Sequence, residues 1–283
     1  MLWKGRRQSE NVEDRRGITG RGIALGGGLG ALAVTIIVLL LGGNPKEVMQ
    51  NLQTPQASGQ EQTRALTAEE KEMGEFVSVI LADTEDVWSQ IFQQDGTQYH
   101  EPKLVLFSNA TDSACGYAQS ATGPFYCPGD EKLYIDLSFF QEMQQRLGAR
   151  GDFAWAYVIA HEVGHHVQNL LGIMEQVQEK QQGLNQQEAN RLMVRMELQA
   201  DFLAGVWAYH AQRMKNLLEQ GDIEEGLNAA AAVGDDRIMK REQGYVVPDA
   251  FTHGTSAQRV RWFTLGLKTG DFHQGDTFAA DEL

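Results

Sequence analysis

The chain has 283 residues and a formal charge of −14, from 24 Lys and Arg against 38 Asp and Glu. At 42% hydrophobic and 22% charged it is globular rather than disordered or fibrous material, long enough for one or two domains with a sizeable core. Residues 1–22 hold six basic groups against three acidic ones, which leaves −17 on the remainder (−14 less +3), and a body that acidic excludes nucleic acid and tight adhesion to anionic lipid.

In chain order, the basic residues Lys4, Arg6, Arg7, Arg15, Arg16 and Arg21 precede 19 uncharged residues, Ile23–Leu41. A helix of that length rises roughly 28 Å, close to the thickness of a bilayer core. The stretch is longer than the apolar region of a cleaved signal and is followed by Gly-Gly-Asn-Pro-Lys, so a retained anchor is expected. Basic residues are sparse on its far side (Lys46 and Arg64 up to residue 66), which predicts a cytoplasmic tail at 1–22 and an extracytoplasmic body. Residues 42–67 are rich in Gln, Gly, Pro, Ser and Thr and read as a linker. The folded body is then expected over 68–283.

Within that body, Met73, Phe76, Val77, Ile80, Leu81, Val87, Trp88 and Ile91 recur at helical spacing and predict a helix over 68–92. Lys103–Phe107 and Lys132–Leu137 read as strands, Ser138–Leu147 as a helix, and Asp152–Leu171 as a buried helix. A long helix is expected over 185–220, a helical region over 222–244, a last helix over 255–269 and then a polar tail. The fold class is α+β, mainly helical with a small sheet. Cys115 and Cys127 flank a loop-like segment. Outside the cytoplasm they are expected to pair; two buried thiols are the alternative, and a zinc site of the four-cysteine type is excluded by the lack of a second pair.

The chemistry lies at residues 161–201. His161-Glu162-Val163-Gly164-His165 puts two imidazoles at i and i+4 on one helix face, where both can reach one metal ion. Glu162 then projects beside the metal, placed to take a proton from a water. The flanking Tyr157, Val158, Ile159, Ala160, Val163 and Val167 make the helix apolar, and buried histidines and glutamates need a partner. Downstream, Glu197 and Asp201 are again i and i+4 among apolar neighbours. Glu197 is the natural third ligand and Asp201 the group that orients a histidine through its other ring nitrogen. His166 sits about 100° around the helix from His165 and should not share the metal. His100, His210 and His273 have no partner pattern.

The strings CPGDEKLYID, AYVIAHEVGHHVQNLLG, RMELQADFLAGVWA and THGTSAQRVRWFTLG, between Gly123 and Leu267, resemble the bacterial neutral zinc metallopeptidases of the YpfJ type. The two-His, one-Glu set is similar to that of gluzincins. The resemblance implies a zincin-like fold, one Zn2+ held by His161, His165 and Glu197, a peptide or protein substrate, and tethering to the bacterial inner membrane. It also implies that His253 helps to stabilise an oxyanion. Arg259 is expected to orient the site or bind a carboxylate, and strand 132–137 reads either as an edge for an extended peptide or as an ordinary interior strand. The expected activity is peptide-bond hydrolysis with Glu162 as general base. A zinc-binding envelope scaffold without hydrolytic activity is the alternative, and intact Glu162 argues against it.

Overall fold

The computed structural model describes residues 1–19 and 62–283, so the expected anchor at 23–41 and most of the expected linker lie outside the described residues. Among the described residues no helix is long and apolar enough to cross a membrane. The chain divides into two units, Met1–Asp14 with Thr67–Leu283, and Arg15–Leu66. In the smaller unit the described residues form a short antiparallel ladder between β2 (Ile18–Thr19) and β3 (Gln62–Thr63).

The larger unit is mainly helical with a four-stranded sheet. Its first helix, α1 (Ala68–Gln94), starts at Thr67, whose side chain accepts from the Glu70 amide while Glu70 caps the Thr67 amide. Phe76, Val77, Ile80, Leu81 and Trp88 are buried as the spacing predicts, but Ser78, Asp83 and Glu85 are buried as well. The segment at residues 1–14 covers Ser78 and Glu85, while Asp83 pairs with Lys215 from a later helix. Trp3 packs edge-on against Phe76 at 5.3 Å between ring centroids. The Ser9 amide donates to the Ser78 carbonyl at 3.1 Å, and Arg7 donates to the Ala82 carbonyl at 2.7 Å and to Glu85 at 2.9 Å.

Residues 12–14 then form β1 (Val12–Asp14), which pairs parallel with β4 (Lys103–Phe107). Residues 1–14 thus pack in one unit with residues 67–283. Physically, Arg6 and Arg7 find carbonyl and carboxylate partners on the body, and Trp3 fills its core.

The sheet runs β1–β4–β8–β7, with β8 at Lys132–Asp136 and β7 at Phe125–Cys127. β4 and β8 are parallel, β7 and β8 antiparallel. Strand 132–136 is thus interior, and among the described residues the edges of the sheet are β1 and β7. The segment read as loop between Cys115 and Cys127 contains β6 (Gly116–Gln119), which forms a hairpin with the preceding β5 (Ala110–Ser113), and a Cys115–Cys127 disulfide ties the hairpin turn to β7.

After α2 (Ser138–Glu142) and a wider π-type turn (Met143–Leu147) come α3 (Asp152–Leu170), α4 (Ile173–Gln181) and α5 (Gln186–Lys215). α5 stops five residues before the expected end because Asn216 turns left-handed (φ 51°) and Leu217 enters the core. The region expected as one helix over 222–244 is two, α6 (Asp222–Ala232) and α7 (Asp235–Gln243), broken at Gly234. α8 (Ser256–Thr269) opens with a reciprocal cap, Thr255 with Gln258, as α5 does with Asn185 and Glu188. Phe153, Tyr157, Phe202, Trp207 and Phe263 fill the space where α3, α5 and α8 meet.

Candidate metal centre

α3 and α5 cross where Gly164 faces Ala200. A Cβ on Gly164 would lie 3.0 Å from the Ala200 carbonyl oxygen, so the absence of a side chain lets the two backbones close. That approach brings together residues 161, 165 and 197. His161 Nε2 lies 3.2 Å from one Glu197 oxygen and His165 Nε2 3.4 Å from the other. Atoms bound at ~2.0 Å around a tetrahedral ion sit roughly 3.3 Å apart, so the spacing fits zinc. All three residues are buried, and one ligand atom from each lies within 4.8 Å of the others.

The opposite ring nitrogens are already engaged. His161 Nδ1 meets Asp201 Oδ1 at 2.9 Å, and His165 Nδ1 meets Gln168 Oε1 at 2.9 Å. Both Nε2 atoms are thereby left toward Glu197. The Glu162 carboxylate is buried beside them, and its Oε2 has no hydrogen-bond partner among the described residues. A set of two imidazoles, one carboxylate and one orphaned carboxylate oxygen fits a zinc ion with a reacting group next to it.

Asp201 is fully buried and does more than touch His161. It accepts from Arg259 Nε at 2.8 Å, from Arg259 Nη2 at 2.9 Å and from the Tyr157 hydroxyl. Burial pushes its pKa up, but the Arg259 and His161 charges outweigh burial and hold it below its ordinary 3.8. For the metal-free His161 ring, burial pulls down while the Asp201 charge and the hydrogen bonds to Asp201 and Glu197 pull up, to about 10. Burial raises the Glu162 pKa against the opposing His165 and His161 charges. The Glu197 carboxyl is held well below its usual range, because the two histidines overcome its burial.

His253 lines the same cleft with a side chain 49% exposed. Its Nδ1 lies 3.1 Å from Asp235 Oδ1, while Asp235 Oδ2 accepts the amides of Thr252, His253 and Gly254 at 2.8, 2.7 and 3.0 Å. Burial disfavours the charged ring, but the Asp235 hydrogen bond and the Glu197 charge hold its pKa above the ordinary 6.5. His166 turns away from Glu197, to Tyr126 and the His100 carbonyl, and His210 and His273 pair with the Gly270 carbonyl and Asp95. Sequence reasoning missed Tyr157, Gln168, Gln199 and Asp235. Only Asp235, in the acidic pair 235–236 at a helix start, carried a signal.

A cavity of about 910 Å3 opens over these residues. Phe125 and Tyr126 of β7 form one side, and Leu147, Met174, Met193 and Ile238 make much of the rest apolar. The helical body, cleft and buried His-His-Glu group describe a candidate zinc centre of the metallopeptidase class. The chain belongs to the family described as "Putative neutral zinc metallopeptidase", whose model matches residues 1–278. It is 52% identical over 285 residues to the YpfJ protein of Escherichia coli strain K12, covering 98% of this chain and 99% of that one. It is also 47% identical over 195 residues to the Rv2575 protein of Mycobacterium tuberculosis strain H37Rv, covering 65% of each. No solved structure matches the chain.

Proposed function

We propose that the chain is a zinc-dependent peptidase that hydrolyses peptide bonds in the cleft between β7 and α3. The observation that carries this reading is the pair of Nε2-to-carboxylate distances, 3.2 and 3.4 Å, beside a buried Glu162 oxygen that lacks a partner. Zinc held by His161, His165 and Glu197 supplies a Lewis acid that acidifies water and polarises a carbonyl oxygen.

The residues around it do the rest. Asp201, fixed by Arg259 and Tyr157, keeps the proton of His161 on Nδ1. Glu162, its pKa raised by burial, takes a proton from the attacking water and delivers it to the amine nitrogen as the C–N bond breaks. His253, whose charged form Asp235 favours, donates to the carbonyl oxygen as that oxygen gains charge. An extended peptide adds to the free edge of β7 by backbone hydrogen bonds, while the apolar wall takes its side chains. The apolar stretch at 23–41 supports membrane association.

Glu162→Gln tests the reading. The variant should keep its zinc and lose roughly 10²–10⁴-fold in peptide hydrolysis. Equal hydrolysis by variant and wild type removes Glu162 from the mechanism.

A further inference from the structure

His161 is oriented by an anion, Asp201, but His165 is not. Its Nδ1 faces the side-chain oxygen of Gln168, which is fully buried. The amide nitrogen of Gln168 donates twice, to the Met196 carbonyl at 2.7 Å and to Gln199 Oε1 at 2.9 Å. Gln199 is buried too, and its nitrogen donates to the Gly275 carbonyl at 2.9 Å.

These bonds have only one consistent direction. A main-chain carbonyl accepts and never donates, so the Met196 carbonyl demands the Gln168 nitrogen and the Gly275 carbonyl demands the Gln199 nitrogen. Each amide is then barred from flipping, because a flip sets oxygen against oxygen in a buried place. The oxygen of Gln168 is left for His165, and it can only accept. The proton of His165 is therefore on Nδ1 and its Nε2 lone pair points toward Glu197, the state a metal requires.

The outer end of the relay rests on the carboxy-terminal strap, residues 275–280. Arg195 of α5 donates to the carbonyls of Thr277, Phe278 and Ala280, and buried Thr277 donates to the Arg195 carbonyl at 2.6 Å. Gly275 passes so near α5 that a Cβ there would sit 2.3 Å from the Phe202 ring. The strap is thus held at one height on α5, and with it the carbonyl that sets the relay's direction.

We propose that Gln168 and Gln199 are positioning residues for the metal, forming a directional relay through which the strap at 275–280 fixes the tautomer of His165. This rests on the zinc reading of the site and goes beyond it. Gln168→Met, similar in length but unable to accept, should weaken zinc binding by the full-length chain about 10–100-fold, measured by competition with a chelator. Gln199→Met should weaken it by a smaller factor. Because Gln199 acts through Gln168, the double variant should bind no worse than Gln168→Met alone.

Zinc held as tightly by both single variants as by wild type overturns the relay, and so do losses that simply multiply in the double variant. Wild type that takes up no zinc overturns the metal site itself, a different result. Should Gln168→Met fail to fold, nitrogen-15 resonances of His165 in the metal-free wild-type chain decide instead. A proton on Nδ1 is expected, and a bare Nδ1 overturns the proposal.

Discussion

Asp201→Asn puts the buried charge arrangement to a quantitative test. The change is nearly isosteric, but it removes the anion that receives both Nε and Nη2 of Arg259. Arg259 is buried and cannot reach water, and its remaining partner on that side, the Val233 carbonyl, is neutral. A buried pair broken from one side costs about 3–5 kcal/mol, since a charge is left without compensation. For a body of more than 200 residues, 1 kcal/mol moves the melting temperature by roughly 2–4 °C, so a drop of roughly 6–20 °C is expected.

The assay is thermal unfolding of the metal-free full-length chain, which separates folding from zinc. Pairing the change with Arg259→Met should recover part of the loss, because the stranded charge leaves with its partner. Zinc affinity should stay depressed in the double variant, since His161 still lacks its anion. A melting temperature for Asp201→Asn within 1–2 °C of wild type would refute the reasoning.

On the role proposed for His253, in which its charged form would act, the alkaline limb of the activity profile should follow this group, whose pKa is held above the ordinary 6.5. Activity from that group is complete below its folded pKa and fades as pH rises through it, so Asp235→Asn, which removes a stabilising charge, should shift the limb to lower pH in a pH–kcat/KM series; an unmoved limb counts against the pair. Replacing Cys115 and Cys127 by Ala should lower stability by about 2–4 kcal/mol in chemical unfolding and raise KM for peptides, because the hairpin no longer braces the β7 edge. Trp3→Ala should cost about 3–5 kcal/mol, the value for a core aromatic, whereas a free tail would lose almost nothing in the same unfolding experiment.

Much of the helical body was legible in the sequence because its signals were local. Thr67 and Thr255 are side-chain caps, and the apolar spacing of α1 and the H-E-x-x-H turn of α3 each lie within one element. Glu197 and Asp201 were readable for the same reason, as carboxylates at i and i+4 on an apolar helix face. What escaped depends on distant neighbours. β7 has three residues, too few for an alternating pattern, and is a strand only because β8 pairs with it. Tyr157 looks like one more apolar position of α3 until Asp201 arrives from α5. Gln168 and Gln199 are ordinary polar residues in sequence, and their meaning comes from carbonyls 28 and 76 positions away.

The docked amino-terminal strand restricts how this molecule can be threaded through a bilayer. β1 is hydrogen-bonded to β4, and the basic side chains of Arg6 and Arg7 grip the body instead of marking one leaflet. A single passage between Asp14 and Thr67 would strand β1 in one aqueous compartment and its partner in the other, and the ladder could not form. With β1 paired to β4, the first residues of the chain and the helices that carry His161, His165 and Glu197 share one folded unit and one solution.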